Sequence, residues 1–268
     1  MDKNEYRSFL YKTSMAMALQ EGGTIPDDAL AIIDDYLKGK ITDKIKTNRL
    51  LNIAKAKSPK EAKVTKNNQG VYYNSYILVN KFNVKDDSLA DIEAYLTADK
   101  MFDLLWNKKL TGLLDFSYLK SLHKYIFKDI YEWAGNIRNV NISKGFQFTD
   151  VRLIMDYAND IFKKLCKDRY YQDFNKELLI NKIADLYGDL NCLHPFREGN
   201  GRANKAFIQI VAGINGYLFD FSLISKEDWI NASIASCYGD NNKLIHLLEK
   251  SLFVIDEEEK NRFLAMIK

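Results

Sequence analysis

The sequence predicts an all-α protein that carries one short β-hairpin. Only three prolines, Pro26, Pro59 and Pro195, occur in 268 residues, so long stretches contain no residue that breaks a helix. In most of these stretches apolar residues recur with the three- and four-residue spacing of an amphipathic helix. Because 47% of the residues are hydrophobic, the chain can bury a large core.

Three short helices are predicted at the N-terminus. The first covers residues 4–20 and stops at a pair of glycines, which commonly end helices. The second follows Pro26, and the third begins near Thr42. The sequence after them is polar and lysine-rich and contains Pro59, which is typical of a linker. The expected division is residues 1–55 for the N-terminal helices, 56–70 for the linker and 71–268 for the main domain.

The main domain shows helical periodicity in five further segments and strand-like alternation in one. Residues 137–148, IRNVNISKGFQF, alternate apolar and polar side chains and turn at Lys144 and Gly145. This pattern predicts a β-hairpin. The predicted helices cover residues 91–105, 116–127, 151–165, 178–193 and 203–214.

Charge and cysteine content argue against several classes of protein. With 39 basic and 36 acidic residues the net charge is +3, which predicts no dedicated nucleic-acid or membrane surface. Cys166, Cys192 and Cys237 are widely separated and odd in number, so neither a disulfide framework nor a zinc site is predicted. The charged N-terminus lacks the apolar run of a signal peptide, and we expect a soluble, cytoplasmic protein.

The chemically informative segment is residues 193–205, LHPFREGNGRANK. Two glycines flank an asparagine just before a predicted helix, and such a turn offers backbone N–H groups to an anion. Around it, His194 can accept a proton, Glu198 can hold Mg²⁺ and Arg202 can bind phosphate oxygens. These are the groups that phosphoryl-type transfer needs. The sequence lacks GxxxxGK[ST], so this phosphate site is not a P-loop.

Residues 194–202, HPFREGNGR, resemble the signature of the Fic family, HxFx[D/E]GNGRxxR. Residues 122–138, which include Trp133-Ala134-Gly135, are similar to the WAG–R segment of that family, and residues 74–83 resemble its beginning. The resemblance implies a Fic-type helical core with the hairpin as a flap, preceded by a small helical inhibitory segment. It also implies AMP transfer from Mg-ATP to a Ser, Thr or Tyr hydroxyl of a target protein.

The resemblance assigns roles to individual residues. His194 would deprotonate the target hydroxyl and Glu198 would coordinate Mg²⁺. The phosphates of ATP would be bound by Gly199, Asn200, Gly201, Arg202 and Lys205. Lys205 replaces the second arginine of the family, and lysine keeps the charge but lacks the planar fork of arginine. The flap would pair with the target backbone as an added strand; its residues are Ile142, Ser143, Lys144, Gly145, Phe146, Gln147 and Phe148.

Fic proteins are often restrained by a motif [S/T]xxxE[G/N], whose glutamate lies on a helix and reaches the second arginine. Residues 17–22, MALQEG, match at Glu21 and Gly22, with Met17 in place of Ser or Thr. Residues 1–55 thus resemble an antitoxin joined to its toxin. The resemblance implies a growth-arresting toxin with a protein target such as DNA gyrase or topoisomerase IV.

Three other functions stay open at this point. Transfer of the γ-phosphate, as in the related Doc branch, is disfavoured because that branch has Lys where Gly201 stands. Transfer of UMP or phosphocholine is open because base recognition lies outside the signature. An inactive or constitutively inhibited regulatory module is favoured by Lys205 and disfavoured by the other signature residues.

Overall fold

The computed structural model describes residues 2–59, 70–145 and 147–267. Over these ranges the protein is predominantly helical, which confirms the predicted all-α class. Most of the predicted linker, residues 60–69, lies outside them. None of the described helices combines the length and apolar character that a bilayer crossing needs. The helices are α1 (Lys3–Leu19), α2 (Asp27–Leu37), α3 (Asp43–Ala56), α4 (Ser88–Asn107), α5 (Phe116–Phe127), α6 (Ile154–Lys167), α7 (Lys176–Leu193), α8 (Asn200–Ile214), α9 (Lys226–Cys237), α10 (Asn242–Ser251) and α11 (Glu257–Leu264).

Helix α8 runs through the centre of the domain. Every residue from Arg202 to Ile214 is buried, and the helix packs against α5, α7 and α11. A helix that is buried all round is typical of a protein interior. The first turn of α8 follows the glycine-containing segment of the signature, so the core holds that turn rigidly in place. The helix begins at Asn200 and not at residue 203 as predicted, because the left-handed Gly199 (φ 81°) starts it directly.

The N-terminal helices share the core of the main domain. Leu10, Tyr11 and Met17 of α1 are fully buried in the same apolar cluster as the residues of α4 and α8. Thr13 Oγ1 donates to the carbonyl of Phe219 (3.0 Å), and the side-chain amide of Gln20 donates to the carbonyl of Ile224 (3.0 Å). Residues of the N-terminal helices and of the main domain therefore belong to one apolar cluster.

The sheet lies elsewhere than predicted. Strands β1 (Tyr217–Phe219) and β2 (Leu252–Val254) pair antiparallel, with Leu218 opposite Phe253. The hairpin predicted over residues 137–148 is reduced to one antiparallel bridge between Ser143 and Gln147. The described residues of the two arms form no longer ladder, because the N–H of Thr149 donates to the carbonyl of Cys192 (3.1 Å) and the Arg138 guanidinium donates to the carbonyls of Val140 and Thr149.

Candidate active site

The loop between α7 and α8 is fixed from within. The side chain of Asn200 accepts a hydrogen bond from the N–H of Phe196 (2.9 Å) and donates one to its carbonyl (2.8 Å). The ring of Phe196 is fully buried and stacks on His123, with centroids 3.8 Å apart. Asn200 thus closes the loop with its side chain, which leaves its backbone as the group that faces an anion.

His123 supports this loop from α5. Its Nδ1 accepts the N–H of Gly135 (2.9 Å), so Nε2 carries the proton and donates to the carbonyl of Glu198 (2.9 Å). Burial lowers the pKa of His123 to about 3, which keeps the ring neutral. A side chain at Gly135 would lie 2.8 Å from Lys124 Cβ, so the glycine allows this close approach. The segment that resembles WAG–R therefore positions the signature loop.

His194 stands at the end of α7 in a left-handed conformation (φ 44°, ψ 58°). Its Nδ1 lies 3.2 Å from the carbonyl of Asn191, which can only accept, so Nδ1 is the protonated nitrogen. Its ring stacks on Phe148 with centroids 3.6 Å apart. Burial lowers the pKa of His194 to about 4. The imidazole is therefore neutral at physiological pH, and Nε2 can accept a proton.

Glu198 and Arg202 lie on the other side of the helix start. One Glu198 oxygen accepts the N–H of Gly199 (2.9 Å) and lies 3.6 Å from Arg202. Burial raises the pKa of Glu198, but the charges of Lys144 and Arg202 outweigh burial and hold the pKa below its ordinary value. The Nε of Arg202 is buried and has no hydrogen-bond partner among the described residues. It is therefore a donor that the described residues leave unused.

Glu93 of α4 is a site residue that the sequence interpretation missed. Its carboxylate forms an ion pair with Arg202 and accepts the hydroxyl of Tyr131. Burial lowers the pKa of Arg202, but Glu93 and Glu198 outweigh burial and raise the pKa above its ordinary value. The only sequence signal for Glu93 is a charged residue on the buried side of a predicted helix, and its partner lies 109 residues away.

Glu21 and Lys205 form the ion pair that the N-terminal motif predicts. Lys205 Nζ lies 2.6 Å from Glu21 Oε1 and 3.2 Å from the side-chain oxygen of Gln20. Lys205 is fully buried, whereas the Glu21 side chain is 24% exposed. A side chain at Gly201 would lie 2.2 Å from the Glu21 carboxylate, so this carboxylate occupies the space in front of the first turn of α8. Burial raises the pKa of Glu21, but Lys205 and Arg202 lower it further than burial raises it.

The motif implied that Glu21 lies on a helix, but Glu21 lies just past the end of one. Helix α1 ends at Leu19, and Glu21 stands in the turn that follows. Gly23 (φ 72°) lets this turn touch α4, because a side chain there would lie 2.2 Å from the carbonyl oxygen of Ala90. The turn is also held by Asp91, which accepts from the N–H of Thr24 (2.7 Å).

Two clefts meet at Glu21. One, of about 250 Å³, is polar and includes Glu93, Glu198 and Arg202 in its lining. The other, of about 240 Å³, has a more apolar lining that includes Trp229 and His194. Glu21 borders both clefts. Each cleft is smaller than the ~300–1,000 Å³ of ordinary ligand pockets.

The flap lies over the second cleft and is tied to the signature loop. Phe148 is buried against His194, whereas Ser143, Lys144, Gly145 and Gln147 are exposed. Ile142 is half-buried, and Phe146 lies outside the described residues.

The side chain of Arg138 joins the flap to the signature loop. The site residues predicted from the sequence did not include it. Its Nε donates to the carbonyl of His194 (2.8 Å), and its guanidinium also donates to the carbonyls of Val140 and Thr149. The sequence signal for this arginine was its position in the WAG–R segment.

The donor set around Glu198 fits Mg²⁺ only in the presence of a nucleotide. No group of three or more His, Cys, Asp or Glu side chains able to hold a metal occurs in the described ranges. Mg²⁺ is commonly bound through one or two carboxylates, with substrate phosphates and water as the other ligands. Glu198 can supply one such carboxylate, beside a helix N-terminus suited to phosphates.

Comparisons with known proteins agree with this site. The sequence pattern of the Fic/DOC family matches residues 113–212. The chain is 32% identical over 178 residues to protein adenylyltransferase VbhT of Bartonella schoenbuchensis, covering 66% of this chain and 37% of that protein. It is 33% identical over 172 residues to the probable protein adenylyltransferase y4lH of Sinorhizobium fredii, covering 63% of this chain and 88% of that protein.

A solved structure shows the same fold. The N-terminal Fic domain of a VirB-translocated effector protein from Bartonella quintana, solved with bound ADP, superposes with a TM-score of 0.65 and 26% identity. The match covers 71% of this chain and 96% of that domain. It is a match in fold, in addition to the matches in sequence. The chain belongs to the Fic/DOC family.

Proposed function

We propose that this protein transfers AMP from ATP to a Ser, Thr or Tyr hydroxyl of a target protein. The observation that carries the proposal is a neutral His194 whose Nε2 is available at the edge of the α8 N-terminus, beside Glu198 and Arg202. A base, a carboxylate and preorganised positive charge are the groups that this chemistry requires. Two relatives named as adenylyltransferases and the ADP-bound Fic domain support the same assignment.

In the proposed reaction His194 Nε2 takes the proton of the target hydroxyl. The hydroxyl oxygen then bonds to the α-phosphorus of ATP, and the bond from that phosphorus to the bridging oxygen breaks, releasing pyrophosphate. Asn191 holds the imidazole by accepting its Nδ1–H, so the basic nitrogen faces outward. Arg202 and the first turn of α8 stabilise the charge on the phosphates. A magnesium ion held by Glu198 and the phosphates would neutralise further charge.

The nucleoside is expected in the more apolar of the two clefts. Trp229 and Tyr187 contribute aromatic surface there, and His194 lies at the same cleft. A nucleobase bound in this cleft would direct the phosphates of ATP towards Arg202 and Lys205. The Glu21 carboxylate stands between the two clefts and is bound to Lys205 (2.6 Å), so we propose that Glu21 blocks the γ-phosphate and restrains the enzyme.

The target is expected to dock on the flap. The single bridge between Ser143 and Gln147 leaves exposed backbone on which an extended target segment can pair as an added strand. The toxin role and a target such as DNA gyrase or topoisomerase IV, which the sequence resemblance implies, stay predictions. Neither of these two predictions rests on the geometry of the loop between α7 and α8.

The test compares four proteins incubated with Mg²⁺, a bacterial lysate and ATP labelled on the α- or the γ-phosphate. They are the parent, Glu21→Gly, His194→Ala in the Glu21→Gly background, and Glu132→Gly. Glu132 is the matched control because its side chain is 86% exposed. We expect protein labelling from the α-label only, weak in the parent and in Glu132→Gly, strong in Glu21→Gly and lost with His194→Ala.

Other outcomes contradict specific parts of the proposal. Labelling from the γ-phosphate alone would make the protein a kinase. Equal labelling of the parent and Glu21→Gly would contradict the proposed inhibitory role of Glu21. No labelling of any protein, with ATP binding intact, would favour the regulatory module or a different donor such as UTP.

A further inference from the structure

A third cleft shares no lining residue with the two clefts at Glu21. Its volume of about 630 Å³ lies within the ~300–1,000 Å³ of ordinary ligand pockets. The start of α1, the end of α4, strand β2 and the start of α11 enclose it, and we name it the α1–α11 cleft. A ligand in this cleft would therefore be separate from ATP and from the target protein.

Aromatic side chains form one part of the cleft wall. Trp106 and Phe253 are half-buried, and the ring centre of Tyr6 lies 6.1 Å from that of Trp106. The guanidinium carbon of Arg262 lies 6.0 Å from the centre of the Trp106 ring. Because the face of an aromatic ring attracts cations, this wall suits a positively charged group as well as an apolar chain.

The charged residues of the lining carry an excess of negative charge, although the whole chain has a net charge of +3. Four carboxylates and two cations lie among them: Asp2, Asp256, Glu258, Glu259, Lys3 and Arg262. Arg262 is already bound, since it donates to Glu259 and to the carbonyl of Trp106 (2.7 Å). Glu259 also pairs with Lys108 (3.3 Å). The carboxylates of Asp2, Asp256 and Glu258 are therefore the ones left for a ligand.

Two helices begin at this cleft, and a helix start ordinarily attracts an anion. Both starts are already occupied by carboxylates of the chain. Asp2 Oδ1 accepts the N–H groups of Asn4 (2.7 Å) and Glu5 (2.9 Å), and Asp256 Oδ1 accepts the N–H of Glu259 (2.9 Å). The N–H groups of Glu5 and Asn4 lower the pKa of Asp2, which keeps this carboxylate charged. The cleft is therefore suited to a cation and not to an anion.

The hydroxyl of Tyr6 is a buried polar group that has no hydrogen-bond partner among the described residues. Tyr6 is 7% exposed, and the charges that act on its hydroxyl belong to Glu259, Arg262 and Asp256, which all line the cleft. The hydroxyl therefore faces the cleft. Burial and the charge of Glu259 raise the pKa of Tyr6, so the hydroxyl keeps its proton. Most buried hydroxyls have a partner, and a ligand in the cleft would supply one.

We propose that the α1–α11 cleft binds an organic cation that carries an ammonium group on an aliphatic chain. The ammonium can donate to the Tyr6 hydroxyl oxygen and to the carboxylates of Asp256 and Glu258, while the aliphatic chain packs on Trp106 and Phe253. A free diamine and a lysine side chain of another protein both offer this chemistry. The proposal does not depend on the proposed AMP transfer, because the two sites share no lining residue.

The first test titrates the full chain with three compounds and measures binding by calorimetry. The compounds are cadaverine, an acetylated and amidated glycine peptide with one lysine, and pentanediol, which is the matched control because it has the chain length of cadaverine but no charge. We expect the amines to bind, more weakly as the salt concentration rises, and pentanediol not to bind. Tighter binding of cadaverine would identify the ligand as a free amine, and tighter binding of the peptide would identify it as a lysine side chain. Absence of binding by both amines, or equal binding of pentanediol, would overturn the proposal.

The second test places the cation in the cleft. Asp256→Asn and Glu258→Gln should each weaken binding about two- to fivefold, and asparagine keeps the helix cap. Glu257→Gln is the matched control and should leave binding unchanged, because Glu257 lies on the same helix, is 81% exposed and does not line the cleft. Unchanged affinity in both cleft variants, or equal weakening in Glu257→Gln, would overturn the proposal.

Tyr6→Phe separates a ligand contact from a structural role. It should weaken binding without lowering the urea midpoint of unfolding, because it removes a hydroxyl that has no partner in the described part of the chain. A lower midpoint with unchanged affinity would overturn the role of this hydroxyl in binding.

Discussion

Two buried cations on α8, one turn apart, have glutamate partners of different origin. Arg202 pairs with Glu93, which belongs to α4 in the core of the domain. Lys205 pairs with Glu21, which belongs to the turn after α1. Both cations are almost fully inaccessible to solvent, but the Glu93 side chain is 11% exposed and the Glu21 side chain 24%.

The two glutamates also differ in how they are held. Glu93 sits on a helix and accepts the hydroxyl of Tyr131 as well as the arginine. Glu21 stands in a turn that borders both clefts, and Lys205 keeps a second acceptor in Gln20 if Glu21 leaves. A ligand can displace one member of a buried ion pair only if that member can move away. The charge that remains must then still have a partner or solvent. We therefore expect the Arg202–Glu93 pair to be structural and the Lys205–Glu21 pair to be the one that can open.

The largest expected effect comes from Glu93→Ala. This change leaves the Arg202 charge buried without its partner, which typically costs about 3–5 kcal/mol. The free energy of unfolding, measured by urea denaturation, should fall by that amount. Glu21→Ala should cost less, about 1–2 kcal/mol, because Gln20 and water from the clefts can solvate Lys205. Glu132→Ala, an exposed control, should stay within about 0.5 kcal/mol of the parent.

An equal loss in Glu93→Ala and Glu21→Ala would contradict the division into a structural and a releasable pair. A loss in Glu21→Ala larger than in Glu93→Ala would reverse it. Labelling separates the two further: Glu21→Ala should increase transfer of the α-label, and Glu93→Ala should decrease it.

An intermediate effect is expected at Gly23, which sets the position of the Glu21 turn. Alanine there has to adopt a positive φ and would also collide with the carbonyl of Ala90, 2.2 Å from its Cβ. Gly23→Ala should lower the free energy of unfolding by about 1–3 kcal/mol and increase α-phosphate labelling, because the turn moves away from Lys205.

Gly39→Ala is the matched control for this substitution. Gly39 has a similar φ of 74°, but nothing lies within 4 Å of an added Cβ. It should lower stability by about 1 kcal/mol through backbone strain alone and leave labelling unchanged. Increased labelling in both glycine variants would mean that general destabilisation, and not the turn position, increases the transfer.

The sequence predicted the local parts of this site more readily than the distant ones. Residues 194–202 are contiguous, so their order alone indicated a helix start with a base and an anion site. Glu93 was missed because a single charged residue in an apolar helix carries no sign of a partner 109 residues away. Strands β1 and β2 were missed for the same reason, since three-residue strands pair across more than thirty positions. The hairpin was overpredicted because alternation does not reveal that the backbone of its arms bonds to the Arg138 side chain and to Cys192.

The smallest expected effect is a difference between the two ion pairs at alkaline pH. Burial lowers the pKa of Lys205, whereas Glu93 and Glu198 outweigh burial and raise the pKa of Arg202. As the pH rises through the lowered pKa of Lys205, this lysine loses its proton in the folded protein, while an unfolded lysine keeps it until about pH 10.4. The attraction to Glu21 is therefore complete below the lowered pKa and is lost above it. Arg202 stays charged throughout.

The destabilisation caused by Glu21→Gln should accordingly shrink as the pH rises from neutral towards the ordinary lysine pKa of about 10.4, whereas that caused by Glu93→Gln should stay constant. Burial raises the pKa of Tyr131, so its hydroxyl keeps donating to Glu93 over this range. The measurement is the free energy of unfolding of each variant and of the parent from urea titrations at each pH. Lys205→Arg should make the Glu21→Gln effect independent of pH. Parallel pH dependence at Glu21 and Glu93 would show that the lysine keeps its proton, and the two pairs would then differ only in the mobility of their glutamates.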